Sequence, residues 1–184
     1  AALVVSFEVR MVVSVLTVII FVGSLSMVDI VESQKGLIFN WFIFRLPMGP
    51  LAFLTFITAA TAEANRTPFD IPEAEQELVA GYNVEYSGMK FAMFFLAEFV
   101  NMFTVSAVAV TLFFGGWNGW DFIPSPVWFL FKTLLVVLLL MLFRWTYPRL
   151  RVDQLMEFAW KFLVPLTFAN LIVAGLFKHL GWYW

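Results

Sequence analysis

The chain has 184 residues, of which 62% are hydrophobic and 13% charged, and its formal net charge at pH 7 is -2. A soluble globular domain carries about 25% charged residues, so this composition excludes an ordinary soluble domain. The chain has no Cys and a single His, which excludes a disulfide, a cysteine-ligated iron–sulfur cluster or a His/Cys metal site within it.

The apolar residues fall in runs of roughly 20, the length of a helix that crosses a hydrocarbon core of about 30 Å. Lipid cannot hydrogen-bond an open backbone, so each run is predicted to be helical. The predicted fold is an all-α, polytopic transmembrane helical bundle with about five spans, a single transmembrane domain over residues 1–184. The chain begins inside an apolar run, without Met or a basic flank. That start is not typical of a signal peptide, and we expect further helices to precede this fragment.

The first predicted span covers residues 1–27 and carries Glu8 and Arg10 in its first half. Residues i and i+2 lie on different faces of a helix, so these two charges are not expected to pair with each other. Two interpretations of Glu8 remain open: a carboxylate facing a polar cavity, or one at the level of the lipid headgroups.

Residues 28–47 mix polar and aromatic side chains, including Trp41, and are predicted to form an interfacial loop. A second, shorter span follows over residues 48–63. Thr55, Thr58 and Ala62 share one small face of this span, and such a face favours helix packing.

An acidic loop over residues 64–88 separates the second span from the third. Pro68 favours an extended turn, and Asp70 with Glu73 three residues later predicts the N-cap and capping box of a short amphipathic helix over residues 71–80. Because its charges are acidic, this helix is expected to dock on protein rather than on anionic lipid. A merely solvated acidic loop is the alternative.

The third predicted span, over residues 89–114, carries Glu98 and Asn101 on one face. A carboxylate at this depth costs about 2.5–3.5 kcal/mol, so Glu98 is predicted to face protein or water. It is the strongest single-residue indication of function in the chain.

Two further spans are predicted, over residues 127–143 and 157–180. Lys132 in the fourth is expected to extend its ammonium to the membrane interface, and Pro165 in the fifth is expected to kink the helix. The loops after the second and fourth spans are the more basic ones, which predicts that the acidic loop lies on the cytoplasmic or matrix side.

The segment AEANRTPFDIPEAEQELVAGYNVEYSGMKFAMFFLAE, which begins at Ala62, resembles the signature loop of one membrane subunit of proton-pumping NADH:quinone oxidoreductase, respiratory complex I. That subunit is called H in bacteria and 1 in mitochondria. LFFGGW from Leu112 and YPRLRVDQLMEFAWKFLVPL from Tyr147 are similar to the same subunit. The resemblance covers essentially the whole chain and corresponds to the C-terminal part of the subunit.

The resemblance implies a subunit that forms part of the quinone-binding chamber and couples quinone reduction to proton translocation through buried carboxylates, with no activity on its own. Quinone is then the substrate, this chain holds no cofactor, and FMN and iron–sulfur clusters belong to partner subunits. The implied partners are the lipid bilayer, other membrane subunits of complex I and soluble-arm subunits at the quinone site, without nucleic acid. The implied location is the bacterial inner (plasma) membrane, or alternatively the mitochondrial inner membrane. The residues that match the family's functional positions are Glu8, Glu63, Arg66, Asp70, Glu73, Glu75, Glu77, Glu85 and Glu98.

Other interpretations remain open from the residues alone. The chain could be the equivalent subunit of a related complex, such as a plastoquinone- or deazaflavin-linked dehydrogenase or a membrane hydrogenase, because the electron donor binds elsewhere. An ion transporter that uses Glu63 and Glu98 as an ion site is a less favoured alternative, since the acids are gathered in one loop. A purely structural anchor would leave the buried charge of Glu98 unexplained.

Overall fold

The computed structural model describes residues 2–36, 38–45, 48–64, 69, 88–119, 123–148 and 152–181. Every regular element in these ranges is helical, which confirms the all-α prediction. Seven α-helices occur in them: α1 Ala2–Val22, α2 Met27–Glu32, α3 Met48–Glu63, α4 Met89–Phe113, α5 Ser125–Thr146, α6 Val152–Glu157 and α7 Val164–His179. Two 3-10 turns, Ile38–Asn40 and Phe42–Phe44, precede α3, and a π-helical turn, Phe158–Leu163, joins α6 to α7.

Each predicted span falls on a helical segment. Three segments are long and apolar enough to cross a membrane: Met89–Phe113, Ser125–Thr146 and Gln154–His179. The apolar helix α3 is shorter, as its sequence predicts, and α1 is a 21-residue apolar helix. The chain is therefore a helical membrane protein. The predicted short helix over residues 71–80 lies outside the described residues.

Helix α3 is the central element of the bundle, since it contacts α1, α4 and α7. Its packing face is made of small side chains, including the buried Ala52 and Ala60, which allow neighbouring helices to approach closely. Thr55 and Ala62 are also buried, as the predicted small face requires, while Thr58 is half-buried.

The end of the bundle opposite the acidic loop, here called the turn end, holds α2, the 3-10 turns, the start of α5 and the residues that follow α4. Gln34 is fully buried there, and its side-chain oxygen accepts hydrogen bonds from the backbone N–H groups of Phe42 (3.2 Å) and Gly115 (3.0 Å). Its amide nitrogen donates to the carbonyls of Ile30 and Leu112. One side chain thus ties the loop before α3 to the end of α4.

Lys132 corrects one prediction. Its side chain extends to the turn end, but only 4% of the residue is exposed, because the turn after α4 covers it. The ammonium donates to the carbonyls of Phe114 (2.7 Å), Gly116 (3.1 Å) and Asn118, and it lies 4.2 Å from the centroid of the Trp41 ring. Backbone carbonyls and an indole face therefore replace the expected lipid headgroup.

Candidate functional site at the acidic-loop end

The other end of the bundle, here called the acidic-loop end, gathers the start of α1, the end of α3, the start of α4 and α6. Four buried side chains form one cluster there: Phe7 of α1, Ala62 of α3, Leu155 of α6 and the loop residue Phe69. The rings of Phe7 and Phe69 meet edge to face, with their centroids 5.4 Å apart. Since Phe69 belongs to the acidic loop, the cluster places the entry of that loop between three helices.

Two predicted site residues flank this cluster. Glu8 follows Phe7 in the chain, Glu63 follows Ala62, and both carboxylates are exposed. Their backbone positions are therefore brought to the same end of the bundle as the loop entry. The prediction that Glu8 and Arg10 face different directions is confirmed, because Arg10 is buried while Glu8 is exposed.

Glu98 lies on α4 at the point where that helix enters the bundle. Residues 89–97 are exposed, Glu98 and Asn101 are half-buried, and burial is complete at Met102. The shared face predicted for Glu98 and Asn101 is therefore the face that turns toward protein. Glu98 also makes an interaction with a neighbouring group.

The remaining predicted site residues lie outside the described residues, so their positions stay predictions. They are Arg66, Asp70, Glu73, Glu75, Glu77 and Glu85. Among the described residues, no group of three or more His, Cys, Asp or Glu side chains is placed to hold a metal ion.

A polar stripe on α1 was missed by the sequence interpretation. Arg10, Ser14 and Thr17 are all buried, and they recur at the i, i+4 and i+7 positions of one helix face. Ser14 donates to the carbonyl of Arg10 (2.8 Å), and its hydroxyl lies 2.8 Å from the hydroxyl of Thr55 on α3. This spacing is the signal in the sequence that could have revealed the stripe. It is easily overlooked because each of the three polar residues is surrounded by apolar neighbours in sequence.

Comparison with known proteins identifies the family of the chain. The chain matches the profile of the family described as NADH dehydrogenase over residues 1–175. It is 50% identical over 188 residues to the H subunit of NADH-quinone oxidoreductase from Geobacillus kaustophilus strain HTA426, covering 100% of this chain and 54% of that protein. The H subunit from Anoxybacillus flavithermus is 52% identical over 183 residues, with coverage of 98% and 53%. The H subunit from Bacteroides fragilis strain YCH46 is 45% identical over 193 residues, with coverage of 98% and 53% as well.

The chain spans about half the length of these curated relatives. Their names agree with the resemblance drawn from the acidic loop, the LFFGGW motif and the segment after Tyr147, and they confirm it. The chain therefore belongs to the NADH dehydrogenase family, alongside the membrane subunits named H of NADH-quinone oxidoreductase.

Proposed function

We propose that the chain is part of a membrane subunit of a proton-translocating NADH:quinone oxidoreductase, where it forms one wall of the quinone chamber and couples quinone reduction to proton movement. The substrate is a quinone, and the flavin and iron–sulfur clusters that deliver electrons belong to partner subunits. The chain then acts in the bacterial plasma membrane and has no oxidoreductase activity alone. Quinone and proton transfer both take place around the acidic loop.

One observation carries this proposal: Glu8, Glu63 and the loop entry at Phe69 meet at one end of the bundle, around the cluster of Phe7, Ala62 and Leu155. A loop that holds five further acids between residues 70 and 85 leaves from this point. The described residues Glu8 and Glu63, together with the acids that follow Phe69 in sequence, account for most of the acidic residues of a chain that has few charges. A transporter would more commonly place its polar residues in paired broken helices near the membrane centre.

The chemistry follows from the electrostatics of shared carboxylates. Carboxylates that occupy one low-dielectric region influence one another's protonation, and a nearby change of charge shifts how many of them hold a proton. Reduction of a quinone either leaves an anion or takes up protons. Either event changes how many protons such a group of acids holds. In this proposal Glu98, on the helix that follows the loop, passes that change into the membrane.

Replacing Glu98 tests this function. Glu98→Gln keeps the size and most hydrogen-bonding capacity but removes the titratable charge, and an amide costs less to bury than a carboxylate. We expect the assembled enzyme to form, and both quinone reductase turnover and proton pumping in reconstituted vesicles to fall by about tenfold or more. Glu98→Asp keeps the carboxylate on a shorter arm and should retain part of both activities.

The matched control is Glu32→Gln at the turn end, where Glu32 is exposed and paired with Lys35. It removes the same charge far from the acidic loop and should leave both activities unchanged. Parental pumping by a normally assembled Glu98→Gln enzyme would show that Glu98 is structural. The relay would then have to be sought among Glu63, Glu75 and Glu85.

A further inference from the structure

Arg10 is a buried cation that the proposed function does not use. It lies in the first half of α1, and its exposed fraction is 0%. An arginine near a membrane border usually extends its charge to the surface, but complete burial excludes that behaviour here. Ionisable side chains held inside a membrane helix face the protein interior and are functional candidates by default.

The guanidinium of Arg10 is the first member of a stack that leads to the acidic loop. Its central carbon lies 4.0 Å from the centroid of the Phe7 ring, one helical turn earlier on α1. The Phe7 ring in turn meets Phe69 edge to face at 5.4 Å. The contacts therefore run from the Arg10 guanidinium to the Phe7 ring and from there to the Phe69 ring. Phe69 immediately precedes Asp70 in the chain.

The position of Arg10 is itself determined by the neighbouring helix. Ser14 donates to the Arg10 carbonyl and lies within hydrogen-bond distance of Thr55 on α3. Two residues of the same α3 face, Thr55 and Ala62, thus orient α1 on both sides of Arg10, at Ser14 and at Phe7. The backbone that carries Arg10 is therefore held against α3.

We propose that Arg10 is a positioning residue for the acidic loop: stacked on Phe7, it holds that ring against Phe69 and thereby sets where the loop begins. The inference rests on the proposed function insofar as the loop lines the quinone chamber. The packing role of Arg10 itself requires only the described contacts. A planar guanidinium suits this role because it stacks on an aromatic face, whereas an ammonium is a compact point charge.

The test uses Arg10→Met and Arg10→Lys in the assembled complex, in a background with a reporter cysteine, Ala64→Cys, at the buried start of the acidic loop. Arg10→Met keeps a long apolar side chain but loses the cation, and we expect the labelling rate of the reporter thiol to rise about tenfold. The KM for quinone should rise by a similar factor, with a smaller change in kcat. Arg10→Lys retains the positive charge but loses the planar guanidinium. Its labelling rate and KM should lie between those of the parent and those of Arg10→Met.

Two further variants complete the experiment. Phe69→Leu removes the ring at the other end of the stack and should reproduce the effect of Arg10→Met. The variant that carries both substitutions should label no faster than the faster single variant, because both substitutions break the same series of contacts. Lys161→Met, which removes an exposed cation paired with Glu157, is the control and should change neither value.

Parental labelling and KM in Arg10→Met would overturn the proposal. If Arg10→Met does not assemble, Arg10→Lys and Phe69→Leu decide: an unchanged labelling rate in both also overturns it. The labelling readout is independent of quinone chemistry. Suppose that the reporter thiol labels faster in Arg10→Met while the Glu98→Gln enzyme still pumps at the parental rate. That result would support the positioning role of Arg10 and contradict the proposed function, so the failure of one can be told from the failure of the other.

Discussion

Two buried cations lie at opposite ends of the bundle, and different groups stabilise each. Arg10 stacks on Phe7 beside the acidic loop, while Lys132 donates to the carbonyls of Phe114, Gly116 and Asn118. The three acceptors of Lys132 lie in the turn that follows α4, near a helix C-terminus whose dipole favours a cation. Lys132, which comes from the next helix, therefore holds this turn in place.

Removing the ammonium of Lys132 should destabilise the protein. Lys132→Met keeps the apolar stem but leaves three carbonyls without their charged donor, and we expect a loss of about 3 kcal/mol in stability. The measurement is thermal denaturation of the purified membrane protein in detergent. Lys161→Met, at an exposed lysine, is the matched control and should leave the transition where it is.

The role of Lys132 could not be read from the sequence because it depends on the path of a turn. Gly115 and Gly116 have φ values of 69° and 51°, which direct the backbone so that carbonyls on both sides point at one ammonium. A Cβ on Gly115 would also lie 2.8 Å from the indole nitrogen of Trp41. The glycines are visible in the LFFGGW motif, but the direction of their carbonyls is not.

At the scale of elements, the sequence predicts the long helices well. Span 48–63 coincides with α3, and the third and fourth predicted spans agree with α4 and α5 to within a few residues at each end. Long apolar runs bounded by Gly, Pro and charged residues are sufficient for this. Helix α2 and the 3-10 turns were predicted only as a loop, since their short segments are stabilised by tertiary contacts such as those of Gln34.

The start of α3 makes an element-scale prediction. A Cβ added to Gly49 would lie 1.7 Å from the carbonyl oxygen of Phe42, so the helix can pack on the preceding 3-10 turn only with glycine there. We expect Gly49→Ala to reduce the amount of folded protein in the membrane several-fold, as an overpacked core does.

Gly175→Ala provides the matched control for this prediction. Gly175 lies within α7, and a Cβ added there meets nothing within 4 Å. Alanine is the better helix former by about 1 kcal/mol, so this variant should be neutral or slightly more stable. Immunoblots of solubilised membranes measure the amount of each variant, and thermal denaturation of the extracted protein measures its stability. Equal behaviour of the two variants would contradict the close approach at Gly49.

At the scale of the whole molecule, basic residues are divided between the two ends of the bundle. Lys90 and Arg144 lie at the acidic-loop end, while Lys35, Arg45 and Lys178 lie at the turn end. In sequence, the segment between α3 and α4 adds Arg66, and the segment between α5 and α6 adds Arg149 and Arg151, so the acidic-loop side carries the larger number of basic residues. By number alone, the excess of basic residues at the acidic-loop end is modest. Lys132, however, is buried against backbone carbonyls, so its charge adds nothing to the exposed basic residues of the turn end.

This distribution predicts the orientation of the chain in its membrane. Lys90→Cys and Lys35→Cys place thiols at exposed positions of opposite ends. By the positive-inside rule, an impermeant thiol reagent should label the cysteine at 90 from the cytoplasmic side and the cysteine at 35 from the other side. Right-side-out and inverted vesicles provide the comparison. Labelling of both cysteines from one side would mean that the two ends do not lie across the membrane.

The candidate site could be predicted only in part from the sequence. The acidic loop and Glu98 stand out because charges are rare in so apolar a chain. The contacts that assemble the site, Phe7 with Phe69 and Leu155 with Ala62, join residues distant in sequence, and no local pattern encodes them. Arg10 was visible as a charge, but its burial follows from the packing of α1 on α3.

The π-helical turn before α7 has a consequence for the phase of the last helix. Leu155, Ala159, Leu163 and Thr167 are all buried at four-residue steps. In an uninterrupted α-helix each such step overshoots a full turn by about 40°, which would carry the fourth residue to another face. The wider turn, in which the N–H of Val164 bonds to the carbonyl of Ala159, absorbs that overshoot just before Pro165. The segment therefore contains one residue more than an α-helix would need to present the same stripe to α1, and this surplus residue keeps α6 and α7 in phase.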